Sequence, residues 1–205
     1  MPADEPLLRV LERARDLGFL GPGPVADHLE HARAYLPALP RVGRGGIIVD
    51  LGTGGGVPGV PLAFWRTDLT WVLVDAMVKR VAFVTSAVAE LRLQAEVIEA
   101  RAESLAAQTR WSRTVDDVVG RSLAAPGVAA EYAAPLLRTG GKAVIAEPPG
   151  GNADRWPQDG LAKLGMRRGS VLFAPTATLQ ILDQVSKCPP TFPRRVGIAA
   201  KRPVF

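Results

Sequence analysis

Cysteine is almost missing: Cys188 is the one thiol in 205 residues. An internal disulfide and a cysteine-rich zinc site are therefore excluded. Histidine is nearly as scarce. His28 and His31 fall on one helical face without cysteine or acidic companions at ligand spacing, so no metal is expected. They read as ordinary surface or interface residues. No apolar run approaches the roughly 20 residues that a membrane-crossing helix needs. The opening segment MPADEPLLRVLERARDLGF lacks the basic-then-apolar order of a signal peptide. A soluble, cytoplasmic protein is expected, and a monomer. Aromatics make up 6% of the chain, and Trp65, Trp71, Trp111 and Trp156 are too scattered to form a stacking platform. Repeats and low-complexity tracts are absent. What remains is an ordinary globular balance of 47% hydrophobic and 22% charged residues, enough for one domain with short extensions.

The net charge of +5 is unevenly spread. Residues 1–160 hold 17 Lys/Arg against 19 Asp/Glu, whereas residues 161–205 hold eight against Asp183 alone. A basic end on a near-neutral body suits a phosphate-rich partner. A solvated charged surface is the alternative.

Apolar spacing predicts helices over 5–17 and 25–39, forming an N-terminal helical extension over 1–45. GIIVDLG (46–52) is too short for a helix and is bounded by glycine, which predicts a buried strand. A helix opened by Pro58 or Pro61 follows. The chain then alternates: strand 70–74, helix 77–92, strand 95–98, a short helix 102–107, strand 115–119, helix 126–138, strand 142–147 and helix 153–164. Strands 170–174 and 178–185 close the pattern as a hairpin. Strands separated by helices imply an α/β fold, a doubly wound and mostly parallel seven-stranded sheet over 46–205, with a basic tail at 187–205.

The densest signal is Asp50-Leu-Gly-Thr-Gly-Gly-Gly-Val-Pro-Gly59. Ligands of doubly wound sheets lie beyond the carboxyl ends of the strands, beside the first strand-to-helix turn. Two frames are open. Gly54, Gly56 and Gly59 can be read as a dinucleotide fingerprint, but one starting four residues beyond the strand's last buried position. Asp50-x-Gly52-x-Gly54-x-Gly56 starts at the strand end with an acid, which repels phosphate and suits an ammonium. S-adenosyl-L-methionine carries an ammonium and no phosphate. Asp75, ending the next strand, is placed for the ribose hydroxyls of either cofactor.

The stretch 49–105 resembles the GidB family of bacterial small-subunit ribosomal RNA guanine-N7 methyltransferases. The family's Asp-x-Gly-x-Gly-x-Gly-x-Pro-Gly-x-Pro-Leu run matches from Asp50 to Leu62, and its second-strand ending matches at Val74-Asp75 with Lys79, Arg80 and Phe83. Its Arg-Ala-Glu matches Arg101-Ala102-Glu103. Its Pro-Leu-Leu-x-x-Gly-Gly matches 135–141, and its basic ending resembles FPRRVGIAAKRPVF (192–205). The chain departs from the pattern in a shorter segment before the first strand, in a missing Asn-Leu-Thr, in Ala34 and Tyr35 where the family has Asp-Ser, and in Arg121-Ser122 for Arg-Ala. Glu147-Pro148 stands where the family has Lys-Gly. These departures point to a divergent branch.

The resemblance implies a Rossmann-like class I methyltransferase using S-adenosyl-L-methionine, with ribosomal RNA or the small ribosomal subunit as partner. Asp50, Gly52, Thr53, Gly54 and Gly56 would wrap the methionine moiety, Asp75 the ribose, and Ala102 with Glu103 the adenine edge. Met77 packs on the adenine or belongs to the core. Arg121 contacts methionine or substrate, unless it pairs with Asp116 or Asp117. Glu147 orients a substrate amino group or caps the turn before Pro148. Arg194, Arg195, Lys201 and Arg202 would meet RNA phosphate, and Phe192 would stack on a base or pack under the tail. Guanine N7 is an exposed lone pair without a proton, so its methylation needs alignment and no general base. A small-metabolite methyltransferase and a non-catalytic RNA-associated protein that keeps the pocket are the alternatives.

Overall fold

Strand β1 (Ile47–Leu51) alternates its side chains between two apolar layers. Val49 and Leu51 join Val72 and Val74 of β2 (Thr70–Asp75) on one face, and Ile48 meets Trp71 on the other. Period-2 burial on both faces is what a central strand of a covered parallel sheet requires. In the computed structural model, which describes residues 4–205, seven strands form one sheet in the order β3-β2-β1-β4-β5-β7-β6. The others are β3 (Ala95–Glu99), β4 (Val115–Gly120), β5 (Leu137–Glu147), β6 (Met166–Ala174) and β7 (Ala177–Gln184). Strands β1 to β5 pair in parallel, and β7 and β6 add antiparallel at one edge. The order reverses between β1 and β4, and that switch point opens a crevice at the carboxyl ends.

Helices α1 (Glu5–Asp16), α2 (Val25–Arg33), α3 (Gly59–Trp65) and α4 (Val78–Glu90) cover one face. Leu7, Leu11 and Leu29 from the first two pack with Val60, Leu73 and Val84. The opposite face takes α5 (Ala102–Ala106), α6 (Pro126–Ala133) and α7 (Gln158–Ala162), with Leu105, Ala129, Ala133, Trp156 and Leu161 in the core. Among the described residues, no helix is long and apolar enough to cross a membrane.

Three expected helices are shorter than their apolar spacing, and proline is the reason each time. The 25–39 segment stops at Arg33 and resumes as a 3-10 turn, Leu36–Ala38, around Pro37. The 126–138 segment ends at Ala133 ahead of Pro135, and β5 starts at Leu137 where helix was expected. Pro157 divides 153–164 into a 3-10 turn, Ala153–Arg155, and α7. Proline lacks the N–H that helix interiors need and disfavours helical geometry in the residue before it. Strand β6 begins at Met166, earlier than expected, because its polar start MRRGS lies on the solvated sheet edge.

The tail is fastened to the body. Arg113 donates from Nε to Cys188 O at 3.1 Å and from Nη2 to Pro189 O at 3.2 Å. A short helix α8 (Ile198–Lys201) follows, and Phe205 packs so tightly on Gly127 and Gly160 that a Cβ at either would overlap it.

Candidate functional site

A crevice of about 540 Å³ opens at the carboxyl ends of β1 to β4. Its floor is Leu51, Gly52 and Val74, one wall is Asp75 with Met77, and the opposite wall is Ala102, Glu103 and Tyr132. Leu123 and Val128 close one side, and Ala200 of α8 contributes the rim. Gly52 adopts φ +69°, a left-handed conformation that favours glycine, and a Cβ there would lie 3.0 Å from Leu123 Cδ1. The chain thus turns out of β1 without filling the cavity.

Asp75 ties the turn to the next strand. Its Oδ2 accepts from Gly54 N at 3.0 Å and its Oδ1 from Met77 N at 2.9 Å. Thr53 N donates to Val74 O at 2.9 Å. Each carboxylate oxygen keeps a further lone pair, so Asp75 can hold the loop and still accept from hydroxyls in the crevice.

Asp50 occupies a different place from the one its sequence position suggests. It points to the α3 face of the sheet, is fully buried, and accepts from Gly59 N at 2.9 Å through Oδ2. Gly59 must be glycine for α3 to approach so closely, since a Cβ would overlap that oxygen. The expected contact with a ligand's methionine moiety is corrected to support of the turn from beneath. Thr53, Gly54 and Gly56 likewise build the turn and do not line the crevice. Burial pushes the Asp50 carboxyl up to about 7, with the Thr53 hydroxyl and the Gly59 amide opposing and the charge of Asp75 adding to it. The first amides of α3 are spoken for: Gly59 N by Asp50, and Val60 N by Gly56 O at 2.7 Å. A pyrophosphate would find no free donors there.

Arg121, just beyond β4, pairs with neither Asp116 nor Asp117. Those carboxylates take Arg138 at 2.7 Å and Lys142 at 3.7 Å. Arg121 Nη2 instead donates to His28 Nδ1 at 2.8 Å, and Nη1 is buried without a partner. His28 Nε2 lies 3.1 Å from Gly21 O, and His31 Nδ1 lies 2.9 Å from Thr176 O. A carbonyl only accepts, so these nitrogens carry the hydrogens, leaving His28 Nδ1 and His31 Nε2 as acceptors. Burial, with the positive charge of Arg121, lowers both imidazole pKa values. His28 is therefore an interior residue and not a surface one, whereas His31 is half-buried beside the β6–β7 turn. Tyr35, fully buried, donates to Gly120 O at 3.0 Å and holds the end of β4.

Glu147 ends β5 but does not line the crevice. It belongs to a separate cavity beside His31 and the β6–β7 turn, with Arg155 Nη1 at 3.0 Å from its Oε2. Of the four tail cations, Arg194 is corrected. Its Nε donates to Glu131 Oε1 at 2.6 Å, its Nη2 to Glu131 Oε2 and also to Arg202 O, at 2.7 Å. Glu131 is buried, so this bidentate pair is a structural clasp. Arg195, Lys201 and Arg202 are exposed. Glu103 lines the crevice and also accepts from Gly197 N at 2.9 Å, fixing the tail against the pocket.

Residues 26–147 match the family GidB, described as rRNA small subunit methyltransferase G. The Ribosomal RNA small subunit methyltransferase G of Moorella thermoacetica is 36% identical over 165 residues, covering 77% of this chain and 69% of the relative. That of Carboxydothermus hydrogenoformans is 35% identical, covering 76% and 70%. Among solved structures, a mutant of MtNAS in complex with S-adenosylmethionine superposes with a TM-score of 0.61 at 15% identity, over 89% of this chain and 73% of that one. A SAM dependent methyltransferase from Aquifex aeolicus gives 0.57 at 17% identity, over 83% and 96%.

Proposed function

Because the chain belongs to the GidB family, rRNA small subunit methyltransferase G, we propose that it transfers a methyl group from S-adenosyl-L-methionine to guanine N7 in small-subunit ribosomal RNA. The observation that carries this reading is one of extent. The matched stretch contains the whole glycine turn, Asp75, the Ala102–Glu103 wall and Arg121.

The residues present suit this cofactor. The crevice volume falls within the range of small-molecule sites. Its phosphate-free character agrees with an α3 start whose amides are already bonded. Gly52 leaves open the floor that a side chain would fill, Asp75 offers acceptors to the ribose, and Ala102 is small enough for an adenine edge with Glu103 beside it. When bound, the cofactor supplies an electrophilic methyl on a sulfonium.

The chain's own contribution is position. Asp50, Thr53, Gly54 and Gly56 shape the turn, and Tyr35 and the His28–Arg121 contact fix the end of β4. Arg121 and Glu147 position the substrate side. With no proton to remove from N7, holding the reactants in line supplies the rate, and effective molarities of about 10⁵ M or more are within reach of such alignment. Arg195, Lys201 and Arg202 meet RNA phosphate, adding salt-dependent affinity without sequence preference.

Mass spectrometry of ribosomal RNA nucleosides from cells with and without the gene tests this reading. Loss of one 7-methylguanosine supports it. An unchanged nucleoside profile transfers the weight to a small-metabolite acceptor.

A further inference from the structure

The separate cavity, about 450 Å³, lies between α2, the end of β5 and the β6–β7 turn. It is lined by His31, Glu147, Phe173 and Thr178 among others. Two of its side chains, His31 and Glu147, present acceptors. His31 spends Nδ1–H on Thr176 O and keeps Nε2 as a buried acceptor with no partner. Glu147 Oε2 has Arg155 as a charge partner at 3.0 Å but no aligned hydrogen bond. A buried acceptor left unmet is costly, so His31 Nε2 calls for a donor, and the Glu147 carboxylate beside Arg155 and Trp156 keeps lone pairs for a further one. At the cavity's edge Phe173 is 71% exposed, an unusual place for a ring that nothing covers.

The fold fixes where this cavity stands relative to the crevice. Strands β1, β4 and β5 are consecutive neighbours. At about 4.8 Å per strand, the ends of β1 and β5 are roughly 10 Å apart. Such a span accommodates the long axis of a purine with one hydrogen bond at its far end. Guanine N7 and its Watson–Crick edge lie on opposite sides of the base. The N7 side can then face the crevice while N1–H and the exocyclic amino group, both donors, face the acceptors.

We propose that this cavity reads the Watson–Crick edge of the target guanine, with Glu147 and His31 accepting from N1–H and the N2 amino group and Phe173 stacking on the base plane. The inference rests on the reading of the chain as a guanine methyltransferase and names the residues that select the base. A carboxylate and a neutral imidazole acceptor favour guanine over adenine, whose N1 is itself an acceptor. Glu147 acquires a role that a lysine could not perform, since an ammonium has no lone pair to offer.

The test uses the full chain and three nucleotides, GMP, IMP and AMP, with affinities read by saturation-transfer NMR. IMP differs from GMP only by lacking the N2 amino group. GMP is expected to bind roughly fivefold or more tighter than IMP, the lower end of the discrimination that a bidentate base contact provides. AMP should be weaker still. Glu147→Ala, which removes the acceptor, should bring GMP and IMP within about twofold of each other, and Phe173→Ala should weaken both by a similar factor because stacking is indifferent to the edge groups. Equal binding of GMP and IMP to the unaltered protein overturns the proposal, as does a GMP preference that survives Glu147→Ala or a lack of binding by either nucleotide. The comparison in the unaltered protein needs no variant to fold. Calorimetry with S-adenosyl-L-methionine on the same samples separates the two readings. Cofactor binding without guanine preference removes only the base-reading role, and absence of cofactor binding removes the methyltransferase reading itself.

Discussion

Asp50 and Asp75 show how two carboxylates on one face of adjacent strands acquire different tasks from their depth. Asp75 faces the crevice with its oxygens bonded to Gly54 N and Met77 N, so replacing it removes a ligand contact and the link between two loops. Asp75→Ala is expected to weaken S-adenosyl-L-methionine binding by more than tenfold in calorimetry and to lower the melting temperature. Unchanged affinity would sink the ribose assignment. Asp50 lies deeper on the same face, opposite Leu73 and beneath Gly59, and burial raises its carboxyl to about 7. With the folded pKa above the unfolded one, the native state holds more protons between these values. The associated stability is fully present below the unfolded pKa of about 3.9 and is lost as pH rises through about 7. Asp50→Asn keeps an oxygen for Gly59 N and removes the titration. Its melting temperature should therefore exceed that of the natural protein at pH 8, by several degrees, and the gap should close toward pH 4. A gap that widened on acidification would contradict the buried-acid account.

At the level of elements, the tail combines two functions on opposite sides. Arg194 clasps Glu131 of α6, Gly197 N is held by Glu103, and Ala200 closes the crevice, while Arg195, Lys201 and Arg202 stand in solvent. Arg194→Ala leaves a buried carboxylate without its partner, a loss of about 3–5 kcal/mol by analogy with other broken buried pairs. Chemical denaturation should register that loss, and cofactor affinity should fall with it because the crevice loses its fixed rim. Arg195→Ala should leave stability and cofactor affinity alone and reduce the log–log salt slope of RNA binding by about 0.7, one phosphate contact on a single strand. The elements were well marked in the sequence where apolar period and glycine agreed, as from β1 through β4. They were poorly marked where proline cut an apolar helix, as at Pro37, Pro135 and Pro157. The clasp had a signal that spacing alone does not weigh: Glu131 stands in the apolar helix PGVAAEYA, and a buried acid requires a cation. The roles of His28 and His31 had none, because their partners Arg121 and Thr176 lie 93 and 145 positions away.

Across the whole molecule, one topology sets the division of labour. The order reversal between β1 and β4 opens the cofactor crevice, the antiparallel edge brings the β6–β7 turn to the second cavity, and α2 spans the gap with His28 and His31. The glycine turn, the acid ending β2 and the basic ending were legible as a sequence pattern, and so was the methyltransferase reading. The side-by-side placement of two cavities was not, since it depends on packing between distant segments. The most direct measurement supplies purified protein with methyl-labelled S-adenosyl-L-methionine and small ribosomal subunits from cells lacking the gene, then locates the label by nucleoside mass spectrometry. The account predicts label in 7-methylguanosine and nowhere else. Label on another nucleoside, or none in RNA while the cofactor binds, would contradict it.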